Sequence, residues 1–334
     1  MLLVSLFGGE ADLPFSGDQR SLDRPLRLRF LDLVGWWRFH KILHNHGAEI
    51  VQANAADTLK FLVAVRLFFG LKAKLVYRNA NLMSAFIDSK PKLFFNRFLL
   101  SRADMVISVS ERCSDDLSGF FVIDRARLIT IPIGIDRFEI SYRDPGVPYP
   151  SSVIFLLHVG GFVPEKNHEG LIRIFTIIRK EKSNVRLRLI GTGPLLPKIQ
   201  QIVNALGLSE VVEFLGVRKD VTSFMRQAQM LLLPSLIEGL PAVILEAMAA
   251  HCPVVAYDVG GIPEVVRHRE TGMLVPLGDE SMFVTSVFEL LNDVLLKVTI
   301  SNNGAALVAD EFDNSRIALR FEEAYHSLVL PTDS

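Results

Sequence analysis

Short apolar runs alternate with longer segments of helical periodicity along most of this 334-residue chain. The apolar runs end at glycine or polar residues, which is typical of strands whose turns lead into helices. Regular alternation of this kind predicts an α/β fold with parallel sheets. Strands are predicted over residues 2–7, 48–54, 74–77, 105–110, 128–132, 153–159, 185–190, 211–215, 231–234, 253–257 and 271–276. Residues 10–25 are polar and are predicted to form a loop.

Proline, glycine and serine crowd together between residues 144 and 152, which indicates a linker. We therefore expect an N-terminal domain over residues 1–148 and a second domain over residues 149–311. A last helix is predicted from residue 312 to residue 328.

Composition excludes several classes of protein. Apolar residues make up 49% of the chain, yet no run approaches the ~18 apolar residues of a membrane helix. The apolar start has no basic residue before it and no small-residue cleavage site, so we expect no signal peptide. Two cysteines cannot form a disulfide framework. The net charge of −1 argues against nucleic-acid binding. A cytoplasmic protein fits these features.

Basic residues exceed acidic ones before residue 150, and acidic residues exceed basic ones after it. This asymmetry has two possible interpretations. The N-terminal half either presents a basic face to an anionic acceptor or lipid, or shows the ordinary scatter of surface charge. Residues 26–41 interleave aromatic and basic side chains. Such a helix either lies on the inner face of a membrane as a peripheral contact or packs against its own domain.

The most informative stretch is residues 231–250, LLLPSLIEGLPAVILEAMAA. Pro241 is predicted at the first position of a helix that is apolar nearly all round. Glu246 is the lone carboxylate in that helix and needs a partner if it is buried. Glu238 lies eight residues earlier, in the loop before the helix. Helix-start amides between two carboxylates suit a nucleotide-sugar, although Glu246 alone fits a structural role equally well.

The string E-G-L-P-A-V-I-L-E-A-M-A resembles the E-x7-E signature of retaining glycosyltransferases of family 4. This resemblance implies two Rossmann-like domains facing across a cleft (the GT-B fold), here with a first domain that lacks its initial strand, loop and helix. It further implies that residues 312–334 form a C-terminal helix that crosses back to the N-terminal domain. It also implies that Glu246 binds the donor ribose and that Glu238 contacts the donor sugar, with Gly239, Leu240 and Pro241 between them.

Three further segments supply candidate site residues. Residues 160–168, GGFVPEKNH, resemble the family's G-R-x-x-x-x-K segment, which neutralises the leaving diphosphate. Lys166 matches the lysine and Gly160 matches the glycine, but Gly161 stands where the family has arginine. The alternative interpretation of Lys166 is an exposed lysine at the start of a helix. Val217 matches a turn that contacts the base, or is a plain turn residue. On the acceptor side, Asn54, Arg78 and Asn79 are predicted at the ends of strands, with capping of the turn as the alternative for Asn79.

The sequence thus predicts a retaining, metal-independent transferase that moves a hexose from a nucleoside diphosphate sugar to a saccharide or lipid-linked acceptor. Glu238 and Lys166 are the predicted catalytic residues. No cofactor is expected, and no D-x-D pair indicates a metal. Two alternatives stay open: a nucleotide-binding relic without transfer activity, and a sugar-nucleotide epimerase of the same architecture.

Overall fold

A computed structural model describes residues 1–7, 17–28, 31–136 and 153–329. The chain forms two compact units, one from Met1–Ile131 with Arg320–Ser334 and one from Pro132–Leu319. The predicted domain boundary near residue 148 lies outside the described residues.

Ten strands and α-helices form in the described residues of the first unit, together with part of the last helix. In chain order they are β1 (Leu2–Phe7), β2 (Asp18–Arg24), α1 (Leu33–His46), β3 (Ile50–Ala53), α2 (Ala56–Phe69), β4 (Lys74–Asn79), α3 (Lys90–Ser101), β5 (Met105–Ser108), α4 (Glu111–Phe120) and β6 (Leu128–Thr130). Strands β3, β4, β5 and β6 form a parallel sheet in that order, and β1 pairs with β2 in a separate parallel sheet.

The prediction of a loop over residues 10–25 is wrong for Asp18–Arg24, which form β2. Only Leu22 of this strand is buried. The strand is therefore stabilised by backbone pairing with β1 rather than by an apolar face. Its polar sequence lacks the alternation of apolar and polar residues that predicts a strand.

Local sequence sets several helix ends in this unit. The Ser110 side chain accepts a hydrogen bond from Cys113 N at 3.2 Å and so caps the start of α4. Gly70 ends α2 at a φ of 65°, a left-handed conformation that favours glycine. Asp32 begins α1 by accepting from Gly35 N at 2.9 Å, and it also pairs with Arg24 at 2.7 Å.

The second unit is a larger parallel αβ sandwich. Its elements are β7 (Ile154–Val159), α5 (His168–Glu181), β8 (Val185–Ile190), α6 (Leu196–Ala205), β9 (Val212–Phe214), α7 (Val221–Gln227), β10 (Met230–Leu233), α8 (Ala242–Ala249), β11 (Val254–Tyr257), α9 (Ile262–Val265), β12 (Met273–Val275), α10 (Glu280–Asn292) and α11 (Val294–Glu311). The six strands run in the order β12-β11-β10-β7-β8-β9. The chain reverses its direction of travel across the sheet between β7 and β10, and such a switch point is where open α/β sheets bind ligands.

Helices pack against this sheet, and its strands β10 and β11 are buried along their whole length. This burial explains why they read as continuous apolar runs rather than alternating ones. Helix α11 has no predicted counterpart; Val294, Leu295 and Val298 on it are exposed, which blurs its amphipathic pattern.

The last helix, α12 (Asn314–Val329), begins in the second unit and ends in the first. In the first unit Arg320 donates to Thr130 O at 2.6 Å, and the Tyr325 hydroxyl donates to Gln52 Oε1 at 2.7 Å.

Candidate functional site

The second unit brings the two predicted catalytic residues into direct contact. Lys166 Nζ lies 2.6 Å from Glu238 Oε1, and their side chains are 20% and 7% exposed. Lys166 follows β7 and Glu238 follows β10, the neighbouring strands on either side of the switch point. The ion pair therefore lies where the topology favours ligand binding.

Backbone and amide contacts hold the two loops together beside this pair. Asn167 adopts a φ of 52° and caps α5 by accepting from Gly170 N at 3.2 Å. Its amide nitrogen also donates to Pro234 O at 3.0 Å, and Leu236 N donates to Glu165 O at 2.7 Å. Asn167 was not among the predicted site residues; an asparagine just before a helical pattern is the capping signal that could have identified it.

A third loop, after β11, packs against the Glu238 segment. Gly260 has a φ of 52°, and a Cβ there would lie 2.0 Å from Glu238 O. Gly261 N donates to Gly239 O at 2.5 Å. The backbone around Glu238 is thus fixed from two sides. Gly260 and Gly261 were not among the predicted site residues.

Gly239, Leu240 and Pro241 are buried in the loop that leads into α8. The prediction that Pro241 occupies the first helical position is wrong, because its ψ of 124° is extended and the helix begins at Ala242. Pro241 has no side-chain hydrogen-bond acceptor with which to cap the helix. The helix-start amides consequently remain suited to an anion.

Glu246 is half-buried on α8, whose Ile244, Leu245, Ala247 and Met248 are fully packed. Burial raises the pKa of Glu246. In the part of the chain that the structure describes, no hydrogen-bond or ion-pair partner faces its carboxylate. A ligand or solvent can therefore supply the hydrogen-bond partner that we expect for the Glu246 carboxylate.

The glycines after β7 differ in the space around them. A Cβ on Gly160 would lie 3.3 Å from His158 Nε2 and 3.4 Å from Lys166 Cδ. Gly161 is exposed, and a Cβ there would meet only Thr192 O at 3.7 Å. Val217 is 74% exposed at the end of β9, two strands from β7. The structure thus groups Gly160 and Gly161 with the ion pair and leaves Val217 at the edge of the sheet.

Two histidines form a buried layer beneath the lysine. The His158 and His168 rings lie 4.6 Å apart, and His158 Nδ1 is 2.8 Å from Leu232 O. Burial lowers the pKa of His158 to about 3 and that of His168 to about 4. Both rings are neutral at pH 7, which keeps added positive charge away from Lys166.

The acceptor-side candidates lie together in the first unit. Asn54, Arg78 and Asn79 line one cavity of about 440 Å³. Arg78 and Asn79 are the last residues of β4, which extends two residues beyond the predicted strand of residues 74–77. The Arg78 guanidinium lies 4.6 Å from the centre of the Phe321 ring, and burial lowers its pKa.

The aromatic and basic stretch of residues 26–41 contains the start of α1. Trp36 is buried and stacks on Phe68 at 5.3 Å, whereas Trp37 is 50% exposed with Lys41 Nζ 4.9 Å above its ring. Residues 29–30 lie outside the described part. Peripheral membrane contact stays a prediction. None of the described helices combines the length and apolarity that a bilayer crossing requires.

Metal independence also stays a prediction. Among residues 1–7, 17–28, 31–136 and 153–329 there is no group of three or more His, Cys, Asp or Glu side chains that could hold a metal ion.

Two protein-family models match the chain. The model described as "Glycosyltransferase Family 4" matches residues 8–137, and the model described as "Glycosyl transferases group 1" matches residues 154–293. Together they cover both units.

Two curated proteins illustrate the relatives that this chain resembles in sequence. N-acetyl-alpha-D-glucosaminyl L-malate synthase of Bacillus anthracis is 31% identical over 52% of this chain and 45% of its own length. N-acetylgalactosamine-N,N'-diacetylbacillosaminyl-diphospho-undecaprenol 4-alpha-N-acetylgalactosaminyltransferase of Campylobacter jejuni is 26% identical over 88% of this chain and 79% of its own length. This chain therefore spans less than half of the Bacillus relative.

Solved structures share the fold. Sucrose-phosphate synthase from Thermosynechococcus elongatus superposes with a TM-score of 0.80 at 22% identity, covering 91% of this chain and 80% of that one. Anabaena HepE in complex with UDP and glucose also gives 0.80 at 22% identity, covering 93% and 86%. The predicted architecture of two Rossmann-like domains is confirmed.

Proposed function

Because this chain belongs to the glycosyltransferases of family 4, we propose that it transfers a hexose from a nucleoside diphosphate sugar to an acceptor hydroxyl with retention of configuration and without a metal. The observation that carries this proposal is the Lys166–Glu238 contact of 2.6 Å at the switch point of the second unit.

Lys166 serves the leaving group in this mechanism. An ammonium has three N–H donors, and the contact with Glu238 uses one of them. The remaining donors and the helix-start amides of α8 stabilise the negative charge that grows on the diphosphate as the bond to the sugar breaks. Gly161 removes the family's second cation, so Lys166 carries more of this stabilisation than in relatives that have the arginine.

The sugar is displaced on its own front face. The anomeric carbon loses the diphosphate oxygen and gains the acceptor oxygen on the same side, and the acceptor proton passes to the departing diphosphate. Glu238 orients the donor sugar while Lys166 holds its carboxylate in place. Glu246 accepts hydrogen bonds from the ribose hydroxyls. These would supply donors to a half-buried carboxylate that has none among the described residues.

We infer a nucleoside diphosphate sugar as the donor and a saccharide or lipid-linked molecule as the acceptor, in polysaccharide or glycolipid assembly. The HepE structures contain UDP and UDP-glucose, and the Campylobacter relative is named for a diphospho-undecaprenol acceptor. These names motivate the choice of substrates for the test.

The test begins with thermal-shift screening against UDP-, GDP- and ADP-sugars, since a ligand that binds only the folded state raises the melting temperature. Transfer is then measured with the selected donor. We expect Lys166→Ala and Glu238→Ala each to lower turnover about 100-fold or more, while Lys180→Ala, an exposed lysine on α5, leaves it unchanged. Unchanged turnover in both site variants would remove the mechanism.

A further inference from the structure

The cavity of about 440 Å³ in the first unit has a one-sided charge. Three basic side chains line it, from Lys60, Arg78 and Lys92, and no aspartate or glutamate is among its lining residues in the described part of the chain. A concave surface lined by one sign of charge concentrates ligands of the opposite sign.

A helix also begins at this cavity. Ala55 and Ala56, the N-cap and first residue of α2, are both in its wall. The first amides of a helix point outward with a partial positive charge. Alanine at the N-cap carries no side-chain oxygen to occupy them, so an anion in the cavity would meet both the amides and the basic side chains.

An unpartnered donor lies in the same wall. Asn79 is 1% exposed, and its Nδ2 has no hydrogen-bond partner among the described residues. A buried amide without a partner is costly, which indicates that a ligand or water completes it. Because Nδ2 is a donor, the group it lacks is an acceptor oxygen.

Two of the three basic side chains take part in ion pairs among the described residues. Lys60 pairs with Asp57 at 2.9 Å and Lys92 with Asp88 at 3.1 Å. The Lys92 and Asp88 side chains are 44% and 76% exposed, and exposed pairs of this kind are weak. Breaking the Lys92–Asp88 pair therefore costs little free energy, so an incoming anion can compete for Lys92.

Two exposed phenylalanines, which we call the aromatic rim, also line the cavity. They are Phe86 and Phe95, and they are 40% and 49% exposed. The cavity lining thus combines basic side chains and helix-start amides with apolar surface.

We propose that this cavity binds a phosphate group of the acceptor, as a phosphate ester or a diphosphate. This inference rests on the proposed transferase function and names its acceptor class. The acceptor is then either a phosphorylated sugar or a lipid phosphate. The aromatic rim would contact the apolar chain of the second.

The experiment compares two isosteric substitutions in the first unit. Asn81→Asp adds a negative charge at an exposed position of the cavity wall, and Asn45→Asp adds the same charge at an exposed position of α1. Calorimetric titrations use three probes: inorganic diphosphate, farnesyl diphosphate and farnesol. We expect both phosphate probes to bind about fivefold more weakly to Asn81→Asp than to Asn45→Asp, with the gap narrowing as salt is raised.

The probes separate the two sources of phosphate. Tighter binding of farnesyl diphosphate than of inorganic diphosphate supports a lipid phosphate, and equal binding supports a phosphorylated sugar. Equal affinities of the two variants for both phosphate probes, or binding of farnesol alone, would overturn the proposal. Donor binding is followed in parallel by thermal shift. A wild-type protein that binds no nucleotide-sugar counts against the proposed function, whereas a normal donor shift with equal phosphate affinities counts only against the acceptor class.

Discussion

Lys166 and Glu238, 72 positions apart in the sequence, meet in an ion pair of 2.6 Å. The sequence assigned them to different parts of the donor, with the lysine at the diphosphate and the glutamate at the sugar. Their contact means that each also positions the other. Removing either one leaves a mostly buried group without its counter-charge.

This coupling is measurable as stability. Lys166→Met and Glu238→Gln should each lower the free energy of unfolding by about 2–3 kcal/mol, because the remaining partner is left uncompensated. The double variant should lose less than the sum of the two. Urea denaturation of all four proteins measures the coupling energy.

A matched control exists on the surface of the same unit. Lys198 and Glu169 are also 2.6 Å apart, but their side chains are 57% and 41% exposed. The same substitutions there should change stability by about 0.5 kcal/mol or less. Equal coupling energies for the two pairs would contradict the structural argument.

Gly260→Ala should disrupt the loop that carries Glu238. The new Cβ would lie 2.0 Å from Glu238 O, and the φ of 52° adds strain of about 1–2 kcal/mol. We expect a loss of stability larger than this strain together with a fall in transfer rate, both measured on the purified variant.

Gly278→Ala isolates the strain alone, since Gly278 has a φ of 81° but nothing lies within 4 Å of its Cβ position. It should lose about 1 kcal/mol of stability and retain its transfer rate. If Gly260→Ala and Gly278→Ala show the same stability and the same transfer rate, the contact between Gly260 and Glu238 does not contribute to function.

Gly161→Arg should raise transfer, because it restores a cation beside the leaving diphosphate. The position tolerates a side chain, as the Cβ would meet only Thr192 O at 3.7 Å. Turnover should increase about tenfold if the guanidinium reaches the diphosphate. Steady-state kinetics with saturating acceptor measures the change.

Gly161→Ala provides the uncharged control and should match the wild-type rate. A rate for Gly161→Arg at or below that of Gly161→Ala would show that the missing arginine is not what limits this enzyme.

Glu246→Gln should make the ligand-free protein more stable at neutral pH. Burial raises the pKa of Glu246 above 4.5, so its contribution to stability is present below about pH 4.5 and is lost as the pH rises through the folded-state pKa. The neutral glutamine avoids that loss. Urea unfolding should therefore favour the variant at pH 7 and show no difference near pH 4.

The same variant should bind the nucleotide-sugar more weakly if Glu246 accepts the ribose hydroxyls. Higher stability without ligand and a smaller thermal shift with ligand form the expected pair of results. Lower stability of the ligand-free variant at pH 7 would indicate that the carboxylate has a partner within the protein.

Most of the helices and strands follow from local patterns in the sequence. Ser110 as a cap, Gly70 at a helix end and the apolar strands around Leu231 are local patterns, because capping and periodicity depend on residues a few positions apart. The E-x7-E string likewise identified the family without any coordinates. Strand β2 and helix α11 were not predicted. The strand has no apolar face, and the helix exposes apolar residues, so neither shows the periodicity of its class.

Which of these residues come into contact depends on how the strands and helices are arranged in space. The sheet order sets β7 beside β10, so Lys166 reaches Glu238 across 72 positions of sequence. The packing of α2, β4 and α3 forms the basic cavity around Asn79, whose charge no single segment shows. Periodicity reports which face of an element is buried, but the pairing of faces is fixed by long-range contacts, and the chemistry of both sites arises from those pairings.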